Sequence, residues 1–266
     1  MKTLLSACVV LLMWASIAMA ATIGDAVEVS IMTDDGRAIP FYTSKVRHDL
    51  KKVYAEAVKG DHYRIVIRNK MNRRVGVVVA VDGRNIISGQ KSWLKNKERM
   101  YIIDAFSTNE YSGWRTGQDI VNRFYFTDVP DSYAAAFGDK SAMGVIAVAV
   151  YPEVEHCRLP MNYQYLNKAQ SKREEAKDKA AAPSARKETQ SLESAGTGFG
   201  REEYSPSYRV EFDPEKKAVE TVLIKYEWRE TLCKMNIINC CKRYGQSHNR
   251  LWENEGYAPP PPPCRY

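Results

Sequence analysis

Val75-Gly76-Val77-Val78-Val79-Ala80-Val81 carries no polar side chain at any position. Successive side chains of an extended chain point to opposite faces, so Val75, Val77, Val79 and Val81 share one side and Gly76, Val78 and Ala80 the other. A short run this rich in β-branched residues reads as a strand. Because it is apolar on both sides, it must be covered on both, which places it inside a sheet whose outer face is also buried. Asp82-Gly83 follows directly and reads as a two-residue hairpin turn with positive φ at both positions. Ile86-Ile87 then starts a return strand. Met143 to Tyr151 (MGVIAVAVY) is a second run of the same kind. Gly76 and Gly144 mark close sheet contacts or bulges.

Half-buried strands surround these two. Tyr63, Ile65 and Ile67 alternate with Arg64, Val66 and Arg68, and Val27 to Thr33 alternates likewise. Ile39 to Thr43 follows the turn at Asp34-Asp35-Gly36, with Pro40 arguing for a sheet edge. Residues 53–58, Met100 to Ile103 and Arg123 to Thr127 read as further strands, Glu110 to Gly117 as a loop, and Pro130 to Gly138 as a helical turn or two. Beyond residue 200, Tyr208 to Phe212 and Val219 to Trp228 read as strands; the second sets Val222, Ile224, Tyr226 and Trp228 on one face. Turns rather than crossover helices join these pieces. The expected fold is therefore mainly β, an antiparallel sandwich-like domain with one short helix.

Residues 167–198 differ in kind, with seven Lys or Arg, five Asp or Glu and no aromatic. Such a segment buries too little to offset its ordering entropy and reads as a linker, flexible or as a solvated helix. The chain divides accordingly into 1–20, a sandwich domain at 21–160, the charged linker at 161–198, and a C-terminal part at 199–266. That last part holds a strand pair, a Cys-rich segment and a Pro-rich tail with polyproline at Pro259 to Pro263. Two strands are marginal alone, so they are expected to dock on the 21–160 domain or to pair with a second molecule.

Lys2, the uncharged run Leu4 to Ala18 and the small residues of Ala18-Met19-Ala20 read as a cleaved secretory signal. No other run reaches membrane-spanning length. The net charge of the whole chain is +7, spread without a basic block, which argues against a nucleic-acid partner. Past the signal five cysteines remain: Cys157, Cys233, Cys240, Cys241 and Cys264. In an oxidising compartment disulfides are the default, and an odd count leaves one thiol over, free to link two chains. A bridge from Cys157 to the Cys233–Cys241 group would clip the tail to the main domain. No C-x-x-C pair is present, so neither a metal nor another cofactor is expected.

Catalytic patterns are poor. Gly-x-Ser-x-Gly is absent. Cys157 beside His156 would point to the opposite face of a strand and so lacks the geometry of a nucleophile–base pair. No spacing singles out a carboxylate pair among Asp104, Glu110, Asp119 and Asp128. Gly196-Thr197-Gly198-Phe199-Gly200 is followed by Arg201-Glu202-Glu203 and lacks the context of a phosphate loop. The four histidines, His48, His62, His156 and His248, sit at unrelated spacings. The reading leans away from an enzyme. Trp93, Tyr111, Trp114 and Arg115 fall in segments expected to connect strands and are the candidate ligand-binding residues, since aromatics with Arg suit protein or sugar surfaces. The same tryptophans would equally cover an end of the core.

Three runs together, Val75 to Asn85 (VGVVVAVDGRN), Gly144 to Val150 (GVIAVAV), and Gly196 to Gly200 with Lys225-Tyr226-Glu227-Trp228, resemble a group of exported bacterial proteins with no assigned activity. The resemblance implies a bacterial source and one compact unit; it brings no site residues. The expectation is an exported, periplasmic or cell-surface protein that binds or assembles without catalysis, with a protein, itself or a glycan as partner. The alternative is a carbohydrate-active hydrolase or carbohydrate-binding module on a β scaffold.

Overall fold

Val75–Val81 is a strand buried along its whole length. The structure, a computed structural model, describes residues 21–155 and 194–240, the side chains of 43–46 excepted. The expected signal at 1–20, nearly all of the linker, His156, His248, Cys157, Cys241, Cys264 and the polyproline tail lie outside the described residues.

In chain order the strands are β1 (Val27–Thr33), β2 (Phe41–Val46), β3 (Leu50–Ala57), β4 (His62–Asn69), β5 (Val75–Val81), β6 (Arg84–Asn85) and β7 (Tyr101–Ile103). They continue with β8 (Thr108–Tyr111), β9 (Gly113–Arg115), β10 (Ile120–Asp128), β11 (Val145–Pro152), β12 (Ala195–Thr197), β13 (Glu202–Tyr204) and β14 (Glu220–Trp228). Two short helices, α1 (Tyr133–Ala136) and α2 (Arg229–Lys234), accompany them. One sheet has the order β1-β4-β10-β12, with β8 beside β4 and with β9 and β13 beside β10. The other has the order β2-β3-β14-β11-β5-β6, with β7 beside β5. The protein is thus mainly β, with two sheets face to face.

The faces turned toward one another carry the alternating residues of the sequence. Val27, Val29 and Ile31, Tyr63, Ile65 and Ile67, and Phe124 and Phe126 meet Val75, Val77, Val79 and Val81, Ile146, Val148 and Val150, and Val222, Ile224 and Tyr226 in one cluster. Burying each Val- or Ile-sized side chain contributes about 1.5–3 kcal/mol. The outer face of β5 is also covered: Val78, Ala149 and Tyr151 pack under Leu94, Met100 and Ala218. Gly76 is required there. A Cβ at that position would run into Met100 Sδ and come 2.7 Å from the Phe212 ring.

Every strand pair is antiparallel except β14 with β3, which run parallel from Thr221 opposite Leu50 to Trp228 opposite Ala57. A parallel neighbour needs a long crossover, and here most of the chain supplies it. β14 does not add to an edge; it lies between β3 and β11.

Local differences from the sequence reading have physical causes. The return strand after Asp82-Gly83 stops at Asn85, because Asn85 Oδ1 accepts from the amides of Ile87 (2.9 Å) and Ser88 (3.2 Å) and turns the chain. Glu110 to Gly117, read as a loop, holds part of β8 and all of β9; the segment kinks at Ser112 as it passes from β4 to β10. Tyr208 to Phe212 forms no ladder. Phe212 instead packs on Gly76. Cys233 pairs with Cys240 (Cα–Cα 5.6 Å), which closes α2 upon its own following loop; of the group expected to bridge Cys157, only Cys241 is left, and both lie outside the described residues.

Candidate functional site

The hairpin turn at Asp82-Gly83 has the positive φ angles its sequence demands, 49° and 79°. Its aspartate, however, points inward and is fully buried. Asp82 Oδ1 accepts from the Gly144 amide at 2.8 Å and from the Tyr226 hydroxyl at 2.6 Å. Oδ2 accepts from the Thr197 amide at 2.7 Å. Tyr226 Oη also lies 2.7 Å from Thr197 Oγ1, which lies 2.7 Å from Tyr63 Oη. With Tyr226 giving its proton to Asp82, Thr197 gives to Tyr226 and Tyr63 gives to Thr197, so each oxygen contact holds one proton. Burial raises Asp82 to about 6 despite the Tyr226, Thr197 and Gly144 donors that favour its ionised form. Burial also holds the Tyr63 and Tyr226 phenols well above their usual value. This network pins β12 against the turns of the other sheet. Tyr63, Asp82, Thr197 and Tyr226 are each fully buried, so the closed network reaches no ligand from outside.

The four residues expected from the sequence to bind a ligand separate. Trp93 is exposed (65%), its amide held by Glu98 Oε1 at 2.8 Å and its ring 5.4 Å from Lys91 Nζ. Tyr111 is buried and stacks on Tyr101 with centroids 4.3 Å apart. Trp114 is buried, edge-on to Phe124 at 5.3 Å, and donates Nε1 to Gly198 O at 3.0 Å. Arg115 is committed to the protein itself. It donates to Tyr101 Oη (2.7 Å), Gln118 O (2.8 Å), Ser205 O (2.9 Å) and Ser205 Oγ (3.1 Å), clamping the chain after β13 onto the β9–β10 hairpin. Only Trp93 of the four presents a free aromatic surface.

The exposed aromatics that do come together were not singled out by sequence. Ser132 caps α1 through its side chain and the Ala135 amide, which places Tyr133 and Phe137 on one side of the turn with centroids 5.0 Å apart. Phe199, set between two glycines, stacks on Tyr133 at 5.4 Å. Tyr133 in turn lies on Trp114 at 4.3 Å. The Arg84 guanidinium sits 4.1 Å over the Phe137 ring and donates to Gly89 O at 2.7 Å. A β-bridge sets Arg84 opposite Lys91, which reaches Asp139 at 3.4 Å and lies beside Trp93. Phe199, Tyr133, Phe137, Arg84, Lys91 and Trp93 thus form a continuous surface at one end of the sandwich. Phe137 is 57% and Phe199 43% exposed. The available signal was the Tyr133–Phe137 spacing of one helical turn; nothing in the sequence ties Phe199 to it.

Among the acids weighed as catalytic, Glu110 pairs with Arg64 at 2.8 Å and Asp128 with Lys59. Among the described residues no three His, Cys, Asp or Glu side chains gather as a metal-binding group. Nor, among them, is any helix long and apolar enough to cross a membrane. Compared with protein-family models, curated proteins and solved structures, the chain matches none.

Proposed function

We propose that the chain is an exported, non-catalytic binding or assembly protein of the bacterial envelope, and that the aromatic end is its contact surface. The observation that carries this reading is the exposure of Phe137 and Phe199 beside Arg84. Large apolar rings left in water next to a guanidinium resemble the anchors of protein interfaces. Export rests on the charged, apolar and small-residue pattern of residues 1–20. A protein partner or a second copy would bury both rings against the Arg84 guanidinium that already covers Phe137.

The test is binding of the mature chain to purified envelope proteins and to itself, by pull-down and by sedimentation, against the Phe137→Ser/Phe199→Ser variant. Loss of a complex with unchanged thermal stability supports the reading. A complex untouched by the variant removes the aromatic end from it. A glycan is the second reading, favoured by the exposed Trp93 beside Lys91. Retention of the native chain on envelope polysaccharide, lost in Trp93→Ala, would select it. Bond cleavage in that polysaccharide would instead select the hydrolase alternative.

A further inference from the structure

We infer that Asp82, with the Tyr226 and Thr197 hydroxyls, forms a pH-dependent latch on β12, closed in mild acid and loosened toward neutral pH. This inference stands whether or not the aromatic end binds a partner.

β12 is short. It pairs with β10 at Phe126–Thr197, Thr127–Gly196 and Asp128–Ala195. The Thr197 amide finds its acceptor in the Asp82 carboxylate at 2.7 Å, which takes the place of a ladder carbonyl from the other sheet. When that carboxylate is ionised, a full charge sits in the core. From β14, Tyr226 and Lys225 face it; from β4, Tyr63 does so through Thr197; β12 and the Gly144 turn bring only neutral donors. The Lys225 ammonium does not contact Asp82; it donates to Met143 O at 2.8 Å and pairs with Glu227 at 2.9 Å. The charge is therefore held chiefly by dipoles, with Lys225 acting only at a distance, and a buried charge without a counter-ion in contact is costly.

Lifting β12 gives Asp82 water and removes that cost, so ionisation favours the open form. Protonation removes the cost without opening. The proton taken from water goes to Oδ1 and is donated to Tyr226; the Tyr226 hydroxyl turns to Thr197, and the Thr197 hydroxyl to Tyr63. All three oxygen contacts keep a proton, the Tyr63 hydroxyl alone giving up its acceptor, a smaller cost than a buried charge, and the closed form is retained. Opening also breaks the Trp114 Nε1 bond to Gly198 O and the Gly198 amide bond to Tyr125 O (2.9 Å), which releases Phe199 from Tyr133.

Amide hydrogen exchange on the full-length chain tests this, with each rate corrected for its intrinsic pH dependence and β11 amides as the reference. Thr197 should be less protected than β11 throughout. Its protection should fall about tenfold per pH unit between about pH 4 and pH 6, as release of one proton on opening requires. In Asp82→Asn that slope should vanish. Should Asp82→Asn fail to fold, Tyr226→Phe removes one donor to the carboxylate and should extend the upper end of the fall to higher pH. The inference is overturned if protection of Thr197 is level across this range, if Thr197 exchanges at the rate of β11, or if the upper end of the fall is unmoved in Tyr226→Phe.

Discussion

Tyr226 Oη lies 2.6 Å from Asp82 Oδ1, so the phenol of β14 closes on the turn that ends β5 across the intervening strand β11. Truncating that phenol tests the bond directly. In Tyr226→Phe, Asp82 loses a donor and Thr197 an acceptor, both without water to replace them. Urea unfolding should show a loss of about 2 kcal/mol at neutral pH with the slope unchanged. Thr197→Val should cost about 1 kcal/mol, since it touches only neutral partners.

The pH dependence of global stability has a sign set by Asp82. Its folded value is raised to about 6 from 3.8, so between these the folded state holds a proton that the unfolded state has released. Stability therefore falls as pH rises through this window, by up to about 3 kcal/mol from this group, and is level above it. Asp25, lowered chiefly by its bond to Lys51, acts in the opposite sense and loses its contribution as pH drops below the ordinary carboxylate range. Subtracting the Asp82→Asn profile from the native one isolates the first effect; a difference that rises with pH would contradict it.

Gly76→Ala should destabilise by about 1–3 kcal/mol, because a methyl there meets Met100 and Phe212 in a packed layer. The companion Gly36→Ala meets nothing within 4 Å but has φ +80°, and should cost only about 1 kcal/mol. Thermal unfolding of the two side by side separates collision from backbone strain.

Glu220 is buried and accepts from the amides of Asp25 (2.8 Å), Ala26 (2.8 Å) and Val27 (3.3 Å), fixing the entry to β1. Glu220→Ala strands these donors and should cost about 2–3 kcal/mol. Amide exchange at residues 25–27 should rise in this variant before that of β11 does.

Much of the architecture is written in local pattern. The valine run of β5, the turn after it and the alternation of β1, β4 and β14 needed only period and turn chemistry. What pattern cannot express is who lies beside whom. Nothing in Val219 to Trp228 says that its neighbours are β3 in parallel and β11 in antiparallel, since both orientations present the same faces. An aspartate at a hairpin turn reads as solvated; its burial here depends on Thr197, Gly144 and Tyr226, each distant in sequence. Trp114 and Arg115 look like loop residues because the alternation fails at the start of β9, where Gly113 and Trp114 are both buried. The exposed aromatic end joins α1 to Phe199 across nearly the whole linker, beyond the reach of any window.

The place of β14 between β3 and β11 also orders the birth of the molecule. Val53 and Val148 belong to strands that both pair with β14, and until residues 220–228 have left the ribosome that slot stands empty. A chain halted earlier holds two unjoined half-sheets with bare hydrogen-bonding edges, the form most prone to stick to its own kind. Nascent copies of this protein should therefore need shielding until β14 emerges, and nonsense codons anywhere before residue 220 should yield insoluble product.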